Sequence, residues 1–211
     1  GMWNIDMDWT SAATINASTI SDKVEIPTAA FDAVIAGGFA NIAQPGTTQR
    51  IDAIVGAVMN MSHWYKFPAH ESILLNWVVE IQDGTQKSGI RWVELRSTND
   101  GATWSVFQEG TFTDPTETTV ALKESVFMGC ISMDSAGNIG LGYTKAGTST
   151  FPSLYYTGRM DGDPLGTMTV PEELAIAGTT SVTSNDRYGD YGQGVRDPVD
   201  DLTFWVTSEY S

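Results

Sequence analysis

One cysteine, Cys130, stands in a chain of 211 residues. No disulfide can form within the chain, and a cysteine-built zinc site is excluded. Histidine is almost as scarce: His63 and His70 are the only two, and their spacing does not suit zinc ligation. Basic residues are outnumbered, with 11 Lys and Arg against 26 Asp and Glu, for a formal charge of -15 and a pI near 4.2. Phosphate binding needs a basic face, and no run of positive charge supplies one, so nucleic acid and anionic membranes are poor partners. No apolar run reaches the ~18 residues that a membrane-spanning helix requires. Gly-x-Ser-x-Gly, P-loop and dinucleotide fingerprints are all missing, which removes several large enzyme classes.

What is present favours short strands. Glycine is frequent (21), aromatic residues make up 10%, and 41% hydrophobic content suffices for a substantial core in one domain spanning residues 1–211. Residues 3–10 (WNIDMDWT) alternate Trp3, Ile5, Met7 and Trp9 against polar positions, the pattern of a half-buried strand. A Ser/Thr/Asn-rich turn follows. Residues 24–31 read as an edge strand because Pro27 interrupts them, and residues 35–49 as a glycine-containing loop. Residues 51–61 fit a short helix on spacing alone, with strand preferred from Ala57 onward. Residues 73–81 (ILLNWVVEI) and 90–96 are almost continuously apolar, which predicts strands buried on both faces. In the second of these, Ile90 and Trp92 point one way and Val93 and Leu95 the other. Further strands are expected at 126–133, 138–144, 154–159, 173–177, 188–195 and 202–209. Turns near His70, Ala136 and Val199 recur at intervals of roughly 65 residues, a weak internal repeat.

The stretch 89–107 (GIRWVELRSTNDGATWSVF) reads as a β-hairpin with its turn at Asn99-Asp100-Gly101. Gly101 can supply a positive φ, the Ser97 and Asn99 side chains can bond turn amides, and Trp104 can roof the hairpin. An ordinary Asp-Gly hairpin meets the same demands. Residues 97–104 (STNDGATW) nevertheless resemble the Asp box, S-x-D-x-G-x-T-W, with Asn99 in place of its aspartate. Residues 133–168 (MDSAGNIGLGYTKAGTSTFPSLYYTGRMDGDPLGTM), 185–210 (NDRYGDYGQGVRDPVDDLTFWVTSEY) and 44–81 extend the likeness over most of the chain. They resemble the C-terminal half of a group of exported bacterial proteins with a sialidase-like β-propeller, a group without an established activity.

That resemblance implies an all-β fold of about three four-stranded blades per chain. Strands three and four of one blade come first, then two complete blades, then strands one and two of a last. Closed propellers carry ~4 to 8 blades, so three do not close a ring. A homodimer about a two-fold axis would complete a ring of about six; an open three-bladed wedge is the alternative. An extracellular or cell-surface location is implied too. Gly1-Met2 reads as a tag remnant and no signal peptide precedes Trp3, so the targeting segment is expected to lie outside this sequence.

In propellers of this kind the pocket lies on the face opposite the Asp box, near the axis. The residues expected there are Arg50, Arg91, Tyr143, Lys145, Tyr155, Arg187, Asp190, Tyr191, Glu209 and Tyr210. Arg187 and Asp190 form the leading pair, with Arg91, Tyr191, Tyr155 and Glu209 as further ligand-binding candidates; an ion pair locking adjacent blades is their plainer reading. A sialidase needs an arginine cluster, a tyrosine nucleophile with a glutamate partner, and an aspartic acid. Of six arginines, only Arg50, Arg91 and Arg187 fall toward the pocket face. The expected function is therefore a carbohydrate- or protein-binding module without catalysis, the alternative a glycoside hydrolase using Asp190 with Glu209 or Glu117. No cofactor is expected, apart from a weak Ca²⁺ reading at Asp197, Asp200 and Asp201, whose commoner role is turn capping. Cys130, in FMGCISM, reads as an inert core thiol.

Overall fold

The computed structural model describes residues 1–10, 17–38, 40–59 and 61–211. Much of the Ser/Thr/Asn-rich turn after Thr10, and Phe39 within the 35–49 loop, lie outside the described residues. Among the described residues the chain is all-β, with no α-helix and only short 3-10 stretches such as Val120–Leu122. The strands are β1 (Ile5–Asp6), β2 (Thr19–Ile20), β3 (Ala40–Ile42), β4 (Ile51–Asp52), β5 (His63–Lys66), β6 (Glu71–Glu80) and β7 (Ser88–Ser97). They continue with β8 (Ser105–Phe112), β9 (Ser125–Met133), β10 (Ile139–Ala146), β11 (Ser153–Arg159), β12 (Val170–Ile176), β13 (Gln193–Arg196) and β14 (Phe204–Thr207). Two four-stranded antiparallel meanders, β5-β6-β7-β8 and β9-β10-β11-β12, form the body of the molecule. Two-stranded sheets, β1-β2, β3-β4 and β13-β14, accompany them.

The roughly 65-residue recurrence has a topological meaning. The turns near His70, Ala136 and Val199 each join the first strand of a sheet to its second, β5 to β6, β9 to β10 and β13 to β14.

Side-chain alternation fixes the stacking of these sheets. On β7, Ile90 and Trp92 join a core with Val126, Ile131, Leu141 and Tyr143 of the second meander, whereas Val93 and Leu95 join a core with Trp77 and Ile26 on the far side. β9 is buried along its whole length because it is covered twice. A side chain at Gly129 would collide with Asn76 and Ile90 of the first meander, while its neighbour Cys130 lies against Gly192 and Gly194 at β13. β14 continues that cover: a Cβ at Gly140 or Gly142 would strike Phe204 or Val206, so glycine is what lets β14 approach β10. The order of layers is thus an N-terminal segment with Ile26 and Phe31, the first meander, the second meander and the C-terminal hairpin. A third core, with Ile42, Ile51, Phe127 and Tyr188, ties β3 and β4 across the ends of the meanders.

The N-terminal expectations need correction. Of residues 3–10 only Ile5–Asp6 are strand, and their partner, Thr19–Ile20, falls in the stretch expected as a turn, while residues 24–31, expected as an edge strand, form only the Met2–Val24 bridge. Trp3, Ile5 and Trp9 are exposed instead of half-buried. The alternation is that of a strand with a covered face, and no described residue covers these rings. Residues 51–61 hold no helix among the described residues; Ile51–Asp52 pair with β3, and Val55 and Val58 bridge to β6.

Candidate functional site

The turn between β7 and β8 is built as its residues predict. The Gly101 amide donates to Ser97 Oγ (3.0 Å), the Thr103 amide to Asn99 Oδ1 (3.0 Å) and Asn99 Nδ2 to Thr103 Oγ1 (3.0 Å). Gly101 takes φ +76°. Lys66 pairs with Asp100 and Glu71, tying this turn to the neighbouring β5-β6 turn. The Ser97, Asn99, Asp100 and Thr103 side chains at the tip thus serve the fold.

The expected ligand-binding residues fall into three separate groups. Tyr143, Lys145 and Tyr155 come together between the two meanders, on β10 and β11, because residues two apart on a strand share a face. Two residues that the sequence did not single out complete this cluster. Lys145 Nζ lies 2.8 Å from Asp114 Oδ1 and 2.8 Å from Glu172 Oε1, and Tyr143 donates its hydroxyl to Glu172. All four side chains are buried, and Lys145 sits over the Tyr155 ring. Burial works against ionising Asp114, but hydrogen bonds from Lys145, Thr116 and the Glu124 amide outweigh it and hold the carboxyl at about 2. Burial likewise opposes the Lys145 ammonium, yet Asp114 and Glu172 raise its pKa overall. Tyr143 is held firmly as the phenol, by burial first and then by Glu172. Glu172 lies on β12, two strands from Lys145 in the same sheet, whereas Asp114 follows β8 and meets them only through the packing of one sheet on the other.

Arg91 is alone of its kind. It lies on the face of the first meander turned away from the second, buried, paired with Glu109 and donating to Thr111 Oγ1 (3.3 Å) on β8. Glu109 also accepts the Ala29 amide (2.9 Å), so this ion pair fastens the N-terminal segment across the sheet.

The third group is the exposed one. Arg187 pairs with Asp190, and Asp52 and Tyr191 lie within the field of its guanidinium. Asp190 raises the Arg187 pKa. The Gly189 amide donates to Glu209 Oε2 (3.1 Å) and the Tyr188 hydroxyl to the Glu209 carbonyl (2.6 Å), which joins the 187–191 loop to the end of β14. β4 is tied to the same loop by the Asp52 amide on the Asp186 carbonyl (2.8 Å). Arg187, Tyr191, Glu209 and Tyr210 are exposed. Arg50 turns away to donate to the Asn41 carbonyl (2.8 Å). The arrangement offers an ion pair, a second carboxylate and two aromatic rings to solvent at the open ends of β13 and β14.

Carboxylate oxygens gather at two further places. Asp197 accepts from the Val199 amide and Trp205 Nε1, Asp200 from Leu202 and Thr203, and Asp201 pairs with Arg196. These three side chains are thereby engaged in shaping the β13-β14 turn. Asp32, Glu80 and Asp83 place carboxylate oxygens within 4.8 Å of one another, a donor set of the type that suits Ca²⁺. Glu80 already accepts the Gln86 amide (2.7 Å) and Asp32 the Val34 amide (2.8 Å). Nothing in the spacing of these residues marks them out, because the Asp32–Glu80 bridge is a tertiary contact. Cys130 is buried, and burial pushes its thiol up to about 12, so it is neutral at ordinary pH.

No protein-family model matches the chain, and neither a curated protein nor a solved structure matches it.

Proposed function

We propose that the stacked sheets are blades of a sialidase-like β-propeller, that two chains together complete its ring, and that the module binds a carbohydrate outside the cell without turning it over. The ligand surface is the exposed group of Arg187, Asp190, Tyr191, Glu209 and Tyr210. One contrast carries the reading. Sialidase-type chemistry needs a tyrosine nucleophile beside a glutamate and within reach of substrate, and the tyrosine that holds a glutamate side chain, Tyr143 with Glu172, is fully buried between the sheets. Aromatic rings beside charged hydrogen-bonding groups, by contrast, suit a sugar's apolar face and its hydroxyls.

A glycoside hydrolase is the competing reading, favoured by the way Gly189 and Glu209 draw two carboxylates, Asp190 and Glu209, to one loop. Glycan-array binding and a fluorogenic glycoside panel separate the two. The expected result is binding without turnover, weakened at least about tenfold by Tyr191→Ala, which corresponds to about 1.4 kcal/mol. Turnover that Asp190→Asn abolishes would replace the module with an enzyme, and absence of glycan binding would leave a protein ligand in its place.

A further inference from the structure

The face of the first meander turned away from the second is built from alternate residues of β6 and β7. Ile73, Leu75 and Trp77 stand opposite Leu95, Val93 and Arg91, and residues opposite each other in an antiparallel pair share a face. The N-terminal segment covers part of this surface: Ile26 packs on it, and the Phe31 ring meets Trp77 edge-on with centroids 5.1 Å apart. The cover is incomplete. Ile26, Thr28 and Phe31 on one side, Val58 and Met61 on another and the sheet itself line a cleft of about 690 Å³. Small-molecule pockets have volumes of ~300–1,000 Å³. Among the described residues no Asp, Glu, Lys, Arg or His lines this cleft. Arg91 lies outside the lining, engaged by Glu109 and Thr111.

One polar group in the lining lacks what its chemistry requires. Trp77 is 6% exposed, and its indole Nε1–H has no hydrogen-bond partner among the described residues. Buried donors are nearly always paired, because burial takes away the water that would otherwise accept from them. Arg159 Nε is likewise buried without a partner, and Arg159 borders a second cleft beside β14. Arg159, however, stands opposite Ile139, which packs in the core between the meanders, so its side chain turns away from that cleft. Trp77 has its unpaired donor on the face where its cleft lies.

We infer that this cleft binds a neutral, mostly apolar small molecule carrying a carbonyl acceptor, the chemistry of an aromatic ketone or ester. The carbonyl oxygen accepts the Trp77 Nε1–H, and the ring lies on Leu75 and Val93 beside Phe31. A carboxylate is disfavoured, because it would leave water for a lining that holds no cationic side chain. A pure hydrocarbon would leave the indole N–H unpaired. A sugar fits poorly as well, since Thr28, Ser62 and Trp77 cannot satisfy its many hydroxyls. The cleft is therefore distinct in chemistry from the exposed loop at Arg187, and the inference does not depend on what that loop binds.

Two probes of one shape separate the donor from the apolar walls: 2-acetylnaphthalene carries the acceptor, and 2-isopropylnaphthalene does not. Titrated into ¹⁵N-labelled protein, the ketone should shift one indole N–H resonance, the one that Trp77→Phe removes, and should bind at least about fivefold more tightly than the hydrocarbon. Trp77→Phe keeps a ring in place and should abolish that preference, with both probes binding about equally. Leu75→Trp, which fills the cleft, should block both. Nuclear Overhauser effects from the bound ketone to the Leu75 and Val93 methyl groups place it independently, should the Trp77 variant not fold. Failure of the ketone to bind overturns the inference and leaves a trapped water as the indole's partner. Equal affinity of the wild type for the two probes overturns it too, as would a shift that persists in Trp77→Phe. Glycan binding with no ketone binding would keep the proposed function and discard this site.

Discussion

Trp92 on β7 stands in an almost continuously apolar run and Trp9 in an alternating one, and the first is 1% exposed, the second 84%. The difference is what lies above them. Trp92 faces the second meander across a shared core, whereas no described residue covers Trp9. Burial is decided by the number of layers, and hydrophobic alternation records only that a layer is required.

The sharpest way to test that contrast is to remove the buried ring. Trp92→Ala should cost about 3–5 kcal/mol in denaturant unfolding, because a cavity opens between the meanders where neither sheet can close it. A loss below about 1 kcal/mol would mean that the sheets do not pack through this residue. The charged contact between the same sheets should be nearly as costly to break. Lys145→Met leaves Asp114 and Glu172 buried without their cation, and a destabilisation of about 3 kcal/mol or more is expected from equilibrium unfolding; a neutral result would place water in the cluster.

Acid probes this contact without mutation. Asp114 is held at about 2, below its ordinary 3.8. A depressed carboxyl contributes stability that is fully present above about pH 4 and is lost as pH falls through about 2, here roughly 2 kcal/mol. Unfolding curves at about pH 5 and about pH 2.5 should differ more for the wild type than for Asp114→Asn. The β7-β8 turn lies lower on the scale. Gly101→Ala forces an alanine into φ +76°, and about 1 kcal/mol should be lost, visible as a lower midpoint with an unchanged denaturant slope. Trp9→Ala, at a ring that is 84% exposed, should fall within about 0.5 kcal/mol of neutral. A large effect there would mean that Trp9 is covered by its own chain.

The middle of the chain was readable with little help. Continuous apolar runs at 73–81 and 90–96 announced strands covered on both faces, and β6 and β7 are such strands. The Asn99-Asp100-Gly101 turn could be read atom by atom, because its hydrogen bonds join residues at most four apart in sequence. The candidate site was legible only in part. Arg187 and Asp190 are close in sequence and pair, but Arg91, expected with them, lies on another face of the first meander, since strand position alone does not say toward which neighbour a side chain turns. Lys145 was singled out without Asp114 and Glu172, the groups that hold it.

What the sequence determined by itself was local: strand positions, turn chemistry, the absence of any disulfide and an acidic charge balance, all set by alternation, by backbone preference and by composition. Only the tertiary structure decided which faces are covered and that Asp114 and Glu172 are the carboxylates that meet Lys145. Those depend on contacts between residues tens of positions apart, where packing of one sheet on another, rather than the preference of any residue, sets the free energy.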